Sequence, residues 1–295
     1  MKHAVLGAGA IGGLMATALS AIGEDVTLIV RREKLDTYPE RLTLDQPNGT
    51  ITGTAHPVAK LTEPVGVLWI ATKTYQLEPA LETIQADAAI IVPLLNGVDH
   101  IARLRARFPH DKVVPASIAV EAERIAEGHY AQRSVVRLNV AASAQPLLGP
   151  ILGRLQERCG FICNFFDNEG KLLWTKLSFL APFALVTSAS GKNKGEIFAD
   201  HEWKAKLYSA IEEAVAVAAA QGASIDAGDT KVKAGFEALP DTMRSSMAKD
   251  LAAGRRLELD GIAGPILRGG SQHGIPTPVT KELVSEIESK VRERR

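Results

Sequence analysis

The first half of the chain alternates short apolar runs with segments of helical periodicity. Residues 2–9 ("KHAVLGAG") and 25–30 ("DVTLIV") predict two buried strands, and the helical pattern at residues 10–23 between them ends at a glycine. Residues 65–73 ("VGVLWIATK") and 88–97 ("AAIIVPLLNG") predict two further strands. Because strands that alternate with helices form parallel sheets, we expect a parallel sheet with helices on its faces.

Other β patterns surround this alternation. Two short alternating runs around "PNG" at residues 47–49 predict a hairpin. A helix is expected over residues 75–87, between two of the buried strands. Residues 112–142 have few helical signals, and we expect their strands to complete the parallel sheet. A helix at residues 146–160 and a last strand at residues 161–166 end the α/β pattern.

Helical periodicity dominates from Asn168 onwards. We therefore predict an α/β domain over residues 1–167 and an all-helical domain over residues 168–295. Three helices stand out in the second domain, at residues 203–223, 242–254 and 277–295. The first of them has Gly222 as its expected C-cap.

Composition excludes several functional classes. The 295 residues are 46% hydrophobic and carry 34 basic and 34 acidic side chains, so no net field favours nucleic acid or a charged membrane. No apolar run reaches the roughly 18 residues that suggest a membrane span, and we expect a cytoplasmic protein. Cys159 and Cys163 have no further cysteine or nearby histidine beside them, so no metal site is expected.

A glycine-rich turn between the first strand and the first helix predicts a dinucleotide site. Gly7, Gly9 and Gly12, with Ala10 and Ile11 between them, fit the pattern G-x-G-x-x-G in the required context. The first glycine permits the tight turn, the second lets a pyrophosphate approach the backbone, and the third lets helix and strand pack closely. This arrangement predicts a Rossmann-type first domain.

The residues after the second strand distinguish NADP from NAD. NAD sites usually carry an acidic residue there, whereas this chain has Arg31 and Arg32, followed by Glu33. An arginine fork suits a 2′-phosphate, so NADP is the expected cofactor. Both arginines could also be ordinary loop charges, and Glu33 keeps NAD open as an alternative.

One lysine lies in a strongly apolar segment, residues 171–188 ("KLLWTKLSFLAPFALVTS"). A charge in such surroundings is costly unless it reaches water or a partner. Lys176 could therefore extend its ammonium into solvent along an apolar surface. Alternatively, Lys176 has a function that requires a lysine within an apolar helix.

Taken in order, the glycine turn, Arg31, "TKTYQ", "LNG", "WTKL", "SSMAKDLAAGRRLELDGIAG" and "HGIPTPVT" resemble the ketopantoate reductase (2-dehydropantoate 2-reductase) family. The resemblance runs nearly from end to end. It implies NADPH-dependent reduction of a 2-keto acid, ketopantoate, to pantoate in pantothenate biosynthesis. Helical second domains of this kind often form homodimers, although no feature of the sequence decides the oligomeric state.

The resemblance also implies roles for individual residues. Lys73 matches a lysine near cofactor and substrate, and Asn96 matches an asparagine at the nicotinamide end of the site that also contacts substrate. Lys176 matches the catalytic lysine, which would donate a proton to the keto oxygen. Glu258 matches its acidic partner, and Ser246 a residue that hydrogen-bonds substrate. Ser246 and Glu258 could instead be exposed helix positions without a function.

The substrate half of the family pattern is altered in this chain. Leu180 and Ala184, one and two helical turns after Lys176, replace asparagines, as does Ala263. Pro182 between the first two is expected to kink the helix. The chain could therefore be a ketopantoate reductase, a reductase of a less polar 2-keto acid, or a non-catalytic NADP-binding protein.

Overall fold

The computed structural model describes residues 1–225 and 234–294. The chain divides into two compact units. The first, called the α/β unit, comprises Met1–Leu95 and His100–Leu172, and the second, the helical unit, comprises Asn96–Asp99 and the residues from Leu173 onwards. The sequence places this division after residue 167, and it assigns Asn96–Asp99 to the first domain, so the observed grouping differs at both points.

The α/β unit contains twelve strands. They are β1 (Lys2–Leu6), β2 (Asp25–Ile29), β3 (Arg41–Gln46), β4 (Gly49–Thr54), β5 (His56–Val58), β6 (Val65–Ile70), β7 (Ala88–Pro93), β8 (Ala116–Ala119), β9 (Ala122–Ala126), β10 (His129–Gln132), β11 (Arg137–Ala141) and β12 (Ile162–Phe166). Five of them form a parallel sheet in the order β5-β2-β1-β6-β7. The predicted parallel α/β domain is confirmed.

The described residues form ten α-helices with assigned bounds. They are α1 (Ala10–Ala21), α2 (Leu77–Leu81), α3 (His100–Arg107), α4 (Gln145–Cys159), α5 (Glu169–Ser190), α6 (Lys194–Ala199), α7 (His201–Ala220), α8 (Ser246–Ala252), α9 (Leu259–His273) and α10 (Pro278–Glu293). The predicted helical second half is confirmed. Gly222 follows the end of α7 at φ 77°, a conformation that favours glycine.

The expectation that residues 112–142 complete the parallel sheet is wrong. Strands β9 and β10 join the hairpin of β3 and β4 in a four-stranded sheet, and β8, β11 and β12 form a three-stranded sheet. Tyr130 of β10, for example, pairs in parallel with Leu44 of β3. An alternating pattern identifies a strand and its buried face, but the partner is chosen by contacts that are distant in sequence.

Two predicted helices differ most from the sequence pattern, and one observed helix of the α/β unit has no counterpart in it. The predicted helix at residues 75–87 is a 3₁₀ turn followed by α2, and it ends where Thr83 turns back to hydrogen-bond the carbonyl of Ala80. The helix expected from residue 242 begins only at α8, because Ser245 caps it by accepting from Ala248 N. Helix α3 was not predicted.

Helix α5 positions Lys176 and contributes to the core of the helical unit. It continues through Pro182 without interruption. Within the described residues it is the single helix long and apolar enough to cross a membrane, but most of its apolar stretch is buried inside the fold. Leu177, Ala181 and Leu185 pack there with residues of α7, α9 and α10, as is typical of a core helix.

Candidate active site

The glycine turn joins β1 to α1 at the carboxyl edge of the parallel sheet. Gly7 has φ 103°, and its N–H donates to Ile29 O at the end of β2. A Cβ on Gly12 would lie 1.7 Å from Gly7 O, so helix and strand pack this closely only because the side chain is absent. A Cβ on Gly9, by contrast, would meet no described atom within 4 Å.

The N-terminus of α1 is open to a ligand. The first intrahelical hydrogen bond runs from Gly13 N to Gly9 O, so the N–H groups of Ala10, Ile11 and Gly12 precede it and need other partners. No described side chain caps this terminus, and its first turn has no acidic residue. Such an end attracts phosphate through its N–H groups and its dipole.

A hydroxyl beside the turn was missed by the sequence analysis. Thr72 follows β6, and its Cγ2 lies 3.2 Å from where a Gly7 Cβ would be. Its Oγ1 is buried without a hydrogen-bond partner in the described part of the chain, and such groups usually have a partner. A polar residue two positions after a buried parallel strand is the signal that could have indicated it. The turn, the open helix end and this hydroxyl together fit a dinucleotide.

Two predicted cofactor residues flank the turn. Arg31 follows β2 and is exposed, with Nη1 3.7 Å from Glu33 Oε1. This loose, solvent-screened pair leaves the guanidinium available to another anion. Lys73 directly follows Thr72, is half-buried, and precedes the 3₁₀ turn Thr74–Gln76. Both residues belong to the α/β unit.

Three of the predicted site residues meet in the helical unit. The Nζ of Lys176 donates to Asn96 Oδ1 at 2.9 Å, and Asn96 Nδ2 donates to Glu258 Oε2 at 3.2 Å. The amide of Asn96 thus bridges the ammonium and the carboxylate. Lys176 comes from α5, and Glu258 lies at the N-cap position of α9 with only 5% of its surface exposed.

Burial lowers the pKa of Lys176 to about 8, and the nearby negative charge of Glu258 opposes this shift. The side chain is half-buried, and its ammonium is directed to Asn96, so it does not simply extend into solvent. A lysine with a pKa near 8 is largely protonated at neutral pH and still releases its proton readily. This group can therefore act as a proton donor.

A close backbone approach brings Asn96 to Glu258. Gly97 has φ 83°, and a Cβ on it would lie 2.1 Å from Gly261 O in the first turn of α9. A larger residue at position 97 would be strained and would also push the segment away from the helix. The glycine of "LNG" thus explains how Asn96 reaches Glu258.

The remaining predicted substrate residue lies outside this hydrogen-bonded group. Ser246 is exposed at the first position of α8. The preceding Ser245 is buried, and its hydroxyl forms a 2.7 Å hydrogen bond with Thr187 of α5. Ser245 thus joins α8 to α5, whereas Ser246 is free to contact a ligand.

The altered family positions are not equivalent. Ala184 and Ala263 are 0% and 1% exposed and pack in the core of the helical unit. Leu180 is half-buried, one turn beyond Lys176. The two alanines are enclosed by apolar neighbours, whereas Leu180 keeps part of its surface exposed.

Comparison with known proteins covers nearly the whole chain. The family model described as ketopantoate reductase PanE/ApbA matches residues 3–145, and its C-terminal counterpart matches residues 170–291. The 2-dehydropantoate 2-reductase of Caulobacter vibrioides is 30% identical over 292 residues, with 96% of each chain covered. The chain belongs to the ketopantoate reductase family. It is thus a member of a family of NAD(P)-dependent 2-keto acid reductases.

Solved structures share the fold over its full length. A PanE/ApbA family ketopantoate reductase from Ralstonia eutropha JMP134 superposes with a TM-score of 0.87 at 24% identity, covering 99% of each chain. A ternary structure of D-mandelate dehydrogenase with NADH and anilino(oxo)acetate gives 0.87 at 21% identity, again with 99% of each chain covered. One fold thus serves proteins named for different substrates.

Proposed function

We propose that this protein reduces a 2-keto acid with NADPH, and that Lys176 is its general acid. The observation that carries the proposal is the hydrogen-bonded group of Asn96, Lys176 and Glu258. It combines a proton donor of lowered pKa with an amide and a carboxylate that hold it in place. Family membership supplies the reaction class.

The chemistry assigns each member of this group a step. A nicotinamide cofactor, when held by the α/β unit, would supply hydride for the keto carbon. The keto oxygen gains the negative charge, and the Lys176 ammonium stabilises that charge and donates its proton to give the hydroxyl. Asn96 orients the ammonium, and Glu258 fixes the amide of Asn96 and balances the positive charge. The 2-keto acid leaves as the 2-hydroxy acid, and Lys176 regains its proton from solvent.

Cofactor binding rests on the α/β unit. Gly7, Gly9 and Gly12 provide the turn, and the N–H groups of Ala10 and Ile11 are available to the pyrophosphate. Arg31 would bind the 2′-phosphate and so favour NADPH over NADH. Lys73 would approach the nicotinamide end. A homodimer and a cytoplasmic location remain predictions.

Ketopantoate is the substrate implied by the family resemblance. A second candidate, a less polar 2-keto acid, is favoured by the half-buried Leu180 one turn from Lys176. Ser246 remains the proposed contact to the substrate carboxylate. A purely NADP-binding role is disfavoured, because such a role does not require a lysine of lowered pKa hydrogen-bonded to Asn96.

NADPH oxidation measured with a panel of 2-keto acids tests the proposal. The panel should include ketopantoate, branched aliphatic 2-keto acids and an aryl 2-keto acid. Turnover of any member supports the reductase, and the preferred member identifies the substrate. Because Lys176 must be protonated, kcat/KM should fall roughly tenfold per pH unit above about pH 8. NADPH binding without turnover of any panel member would contradict the proposal.

A further inference from the structure

The segment Asn96–Asp99 is held in the helical unit at each of its residues. Asn96 is hydrogen-bonded to Lys176 and Glu258, and Gly97 lies against the backbone of α9. Val98 packs against the apolar core of the helical unit. The segment is therefore fixed by polar, backbone and apolar contacts in succession.

Asp99 ends the segment with an ion pair to α9. The Nε and Nη2 of Arg268 donate to Asp99 Oδ2 at 3.2 and 2.6 Å, and its Nη1 donates to Asp260 Oδ1 at 2.6 Å. About half of the Arg268 side chain, 54%, is exposed, so these pairs add little to overall stability. The planar guanidinium nevertheless fixes the direction of its partners.

We propose that Arg268, acting through Asp99, is a positioning residue that keeps Asn96 between Lys176 and Glu258. Asn96 bridges two charged groups with one amide, so a shift of the segment breaks both hydrogen bonds at once. Gly97 contributes only a backbone approach to α9, and Val98 only an apolar contact that does not fix direction. The Asp99–Arg268 pair adds a directional constraint at the far end of the segment. The catalytic meaning of this role rests on the proposed function, but the geometry does not.

Loss of this constraint has a specific electrostatic consequence. Asn96 Oδ1 accepts from the protonated form of Lys176, and such a hydrogen bond favours the charged state. If Asn96 moves away, burial continues to disfavour the ammonium and only the charge of Glu258 opposes it. The pKa of Lys176 should then fall further below its ordinary value. Through-space charge alone would lower this pKa in Asp99→Asn and raise it in Arg268→Gln, whereas loss of positioning lowers it in both.

The first test needs neither cofactor nor substrate. Acetylation of the Lys176 amine is followed by mass spectrometry as a function of pH, in the wild type and in Asp99→Asn, Arg268→Gln and Asp260→Asn. We expect the first two variants to lower the apparent pKa by about one unit. Asp260→Asn is the matched control, since it removes the other partner of Arg268, and it should leave the pKa unchanged. The double variant Asp99→Asn/Arg268→Gln should lower the apparent pKa of Lys176 no further than either single variant does.

The second test uses the preferred 2-keto acid. Asp99→Asn and Arg268→Gln should lower kcat by roughly ten- to a hundredfold with small changes in thermal stability. Arg268→Lys keeps one charge–charge contact and should recover part of the loss. Failure to find any substrate would contradict the proposed function but leave the pKa test valid. Identical pKa values for Lys176 in Asp99→Asn, Asp260→Asn and the wild type would overturn the positioning role.

Discussion

The glycine turn and the lysine group are built in opposite ways. At the turn, Gly9 faces open space and the end of α1 has N–H groups without an intrahelical partner. In the helical unit, Lys176, Asn96 and Glu258 already hydrogen-bond one another. The turn offers a ligand its unpaired backbone N–H groups. The lysine group instead has side chains that are already oriented by hydrogen bonds to one another.

This difference suits the two tasks proposed for these regions. A site that binds phosphate must keep backbone donors available until the ligand arrives. A site that transfers a proton gains from groups that are oriented before the substrate binds, since no reorganisation is then needed in the transition state. Changes at the turn should therefore affect cofactor binding, and changes in the lysine group should affect turnover.

The largest expected effect comes from Lys176. Lys176→Ala should lower kcat by roughly 10² to 10⁴, because it removes the proton donor and the positive charge beside the keto oxygen. NADPH affinity should change little, because the residues proposed to bind the pyrophosphate and the 2′-phosphate belong to the α/β unit. Steady-state rates and a fluorescence titration of NADPH on the same protein measure both quantities.

Two variants serve as controls for this prediction. Lys176→Arg keeps a positive charge but is a poor proton donor, so it should not restore the rate fully. Lys281→Ala removes an exposed lysine of α10 and should behave as the wild type. A kcat for folded Lys176→Ala within a few-fold of the wild type would remove Lys176 from the mechanism.

The two regions also differ in how far the sequence predicts them. The glycine turn lies within six consecutive residues between a strand and a helix, so its context was visible in the local pattern. Asn96 is 80 positions from Lys176 and 162 from Glu258, and no local pattern connects them. Those three residues were suggested together only by family resemblance.

The features that were missed depend on distant contacts. Strand alternation at residues 112–142 was visible, but the pairing of β10 with β3 depends on residues some 86 positions away. Thr72 became noticeable only because its buried hydroxyl has no partner in the described part of the chain. The family comparison marks Ala184 as an altered position, but only the fold shows that this residue lies in the apolar core of the helical unit.

The next largest effect is expected on cofactor choice, at Arg31 beside the glycine turn. Arg31 is exposed and only loosely paired, so it can contact a 2′-phosphate. Arg31→Ala should weaken NADPH binding by roughly ten- to over a hundredfold, equivalent to about 1.5 to 3 kcal/mol. NADH binding should change little. Titration of both cofactors tests this, and equal wild-type affinities for NADPH and NADH would contradict the role of Arg31.

Two glycines separate ligand binding from folding within the same turn. Gly9→Ala places a methyl group in open space at an allowed φ of −77°, so stability should be kept while NADPH affinity falls roughly tenfold, or about 1.4 kcal/mol. Gly12→Ala meets Gly7 O and should destabilise the fold itself by about 1–3 kcal/mol. Gly153→Ala in α4 is the control. A Cβ on Gly153 would meet no described atom within 4 Å, so this variant should weaken neither NADPH binding nor stability.

Thermal unfolding and NADPH titration of the three variants separate these outcomes. If Gly9→Ala lost stability as Gly12→Ala does, the turn would be constrained by packing throughout. The contrast between an open ligand site and a closed helix–strand contact would then be lost.

The smallest effect is expected on substrate choice, beside the hydrogen-bonded group of Lys176, Asn96 and Glu258. Leu180 is half-buried one turn beyond Lys176, and an amide there could hydrogen-bond a substrate hydroxyl. Leu180→Asn should raise the ratio of kcat/KM for ketopantoate over an aliphatic 2-keto acid by roughly tenfold. Adding Ala184→Asn should instead destabilise the protein, because Ala184 is fully buried and an unpaired amide costs about 1–3 kcal/mol there.

Leu180→Ala is the matched control, since it removes the apolar side chain without adding an amide. Equal ratios in Leu180→Asn and Leu180→Ala would show that position 180 does not contact the substrate hydroxyl. A wild-type kcat/KM for ketopantoate near 10⁵ M⁻¹s⁻¹, roughly that of a good enzyme, would show that the amide is dispensable.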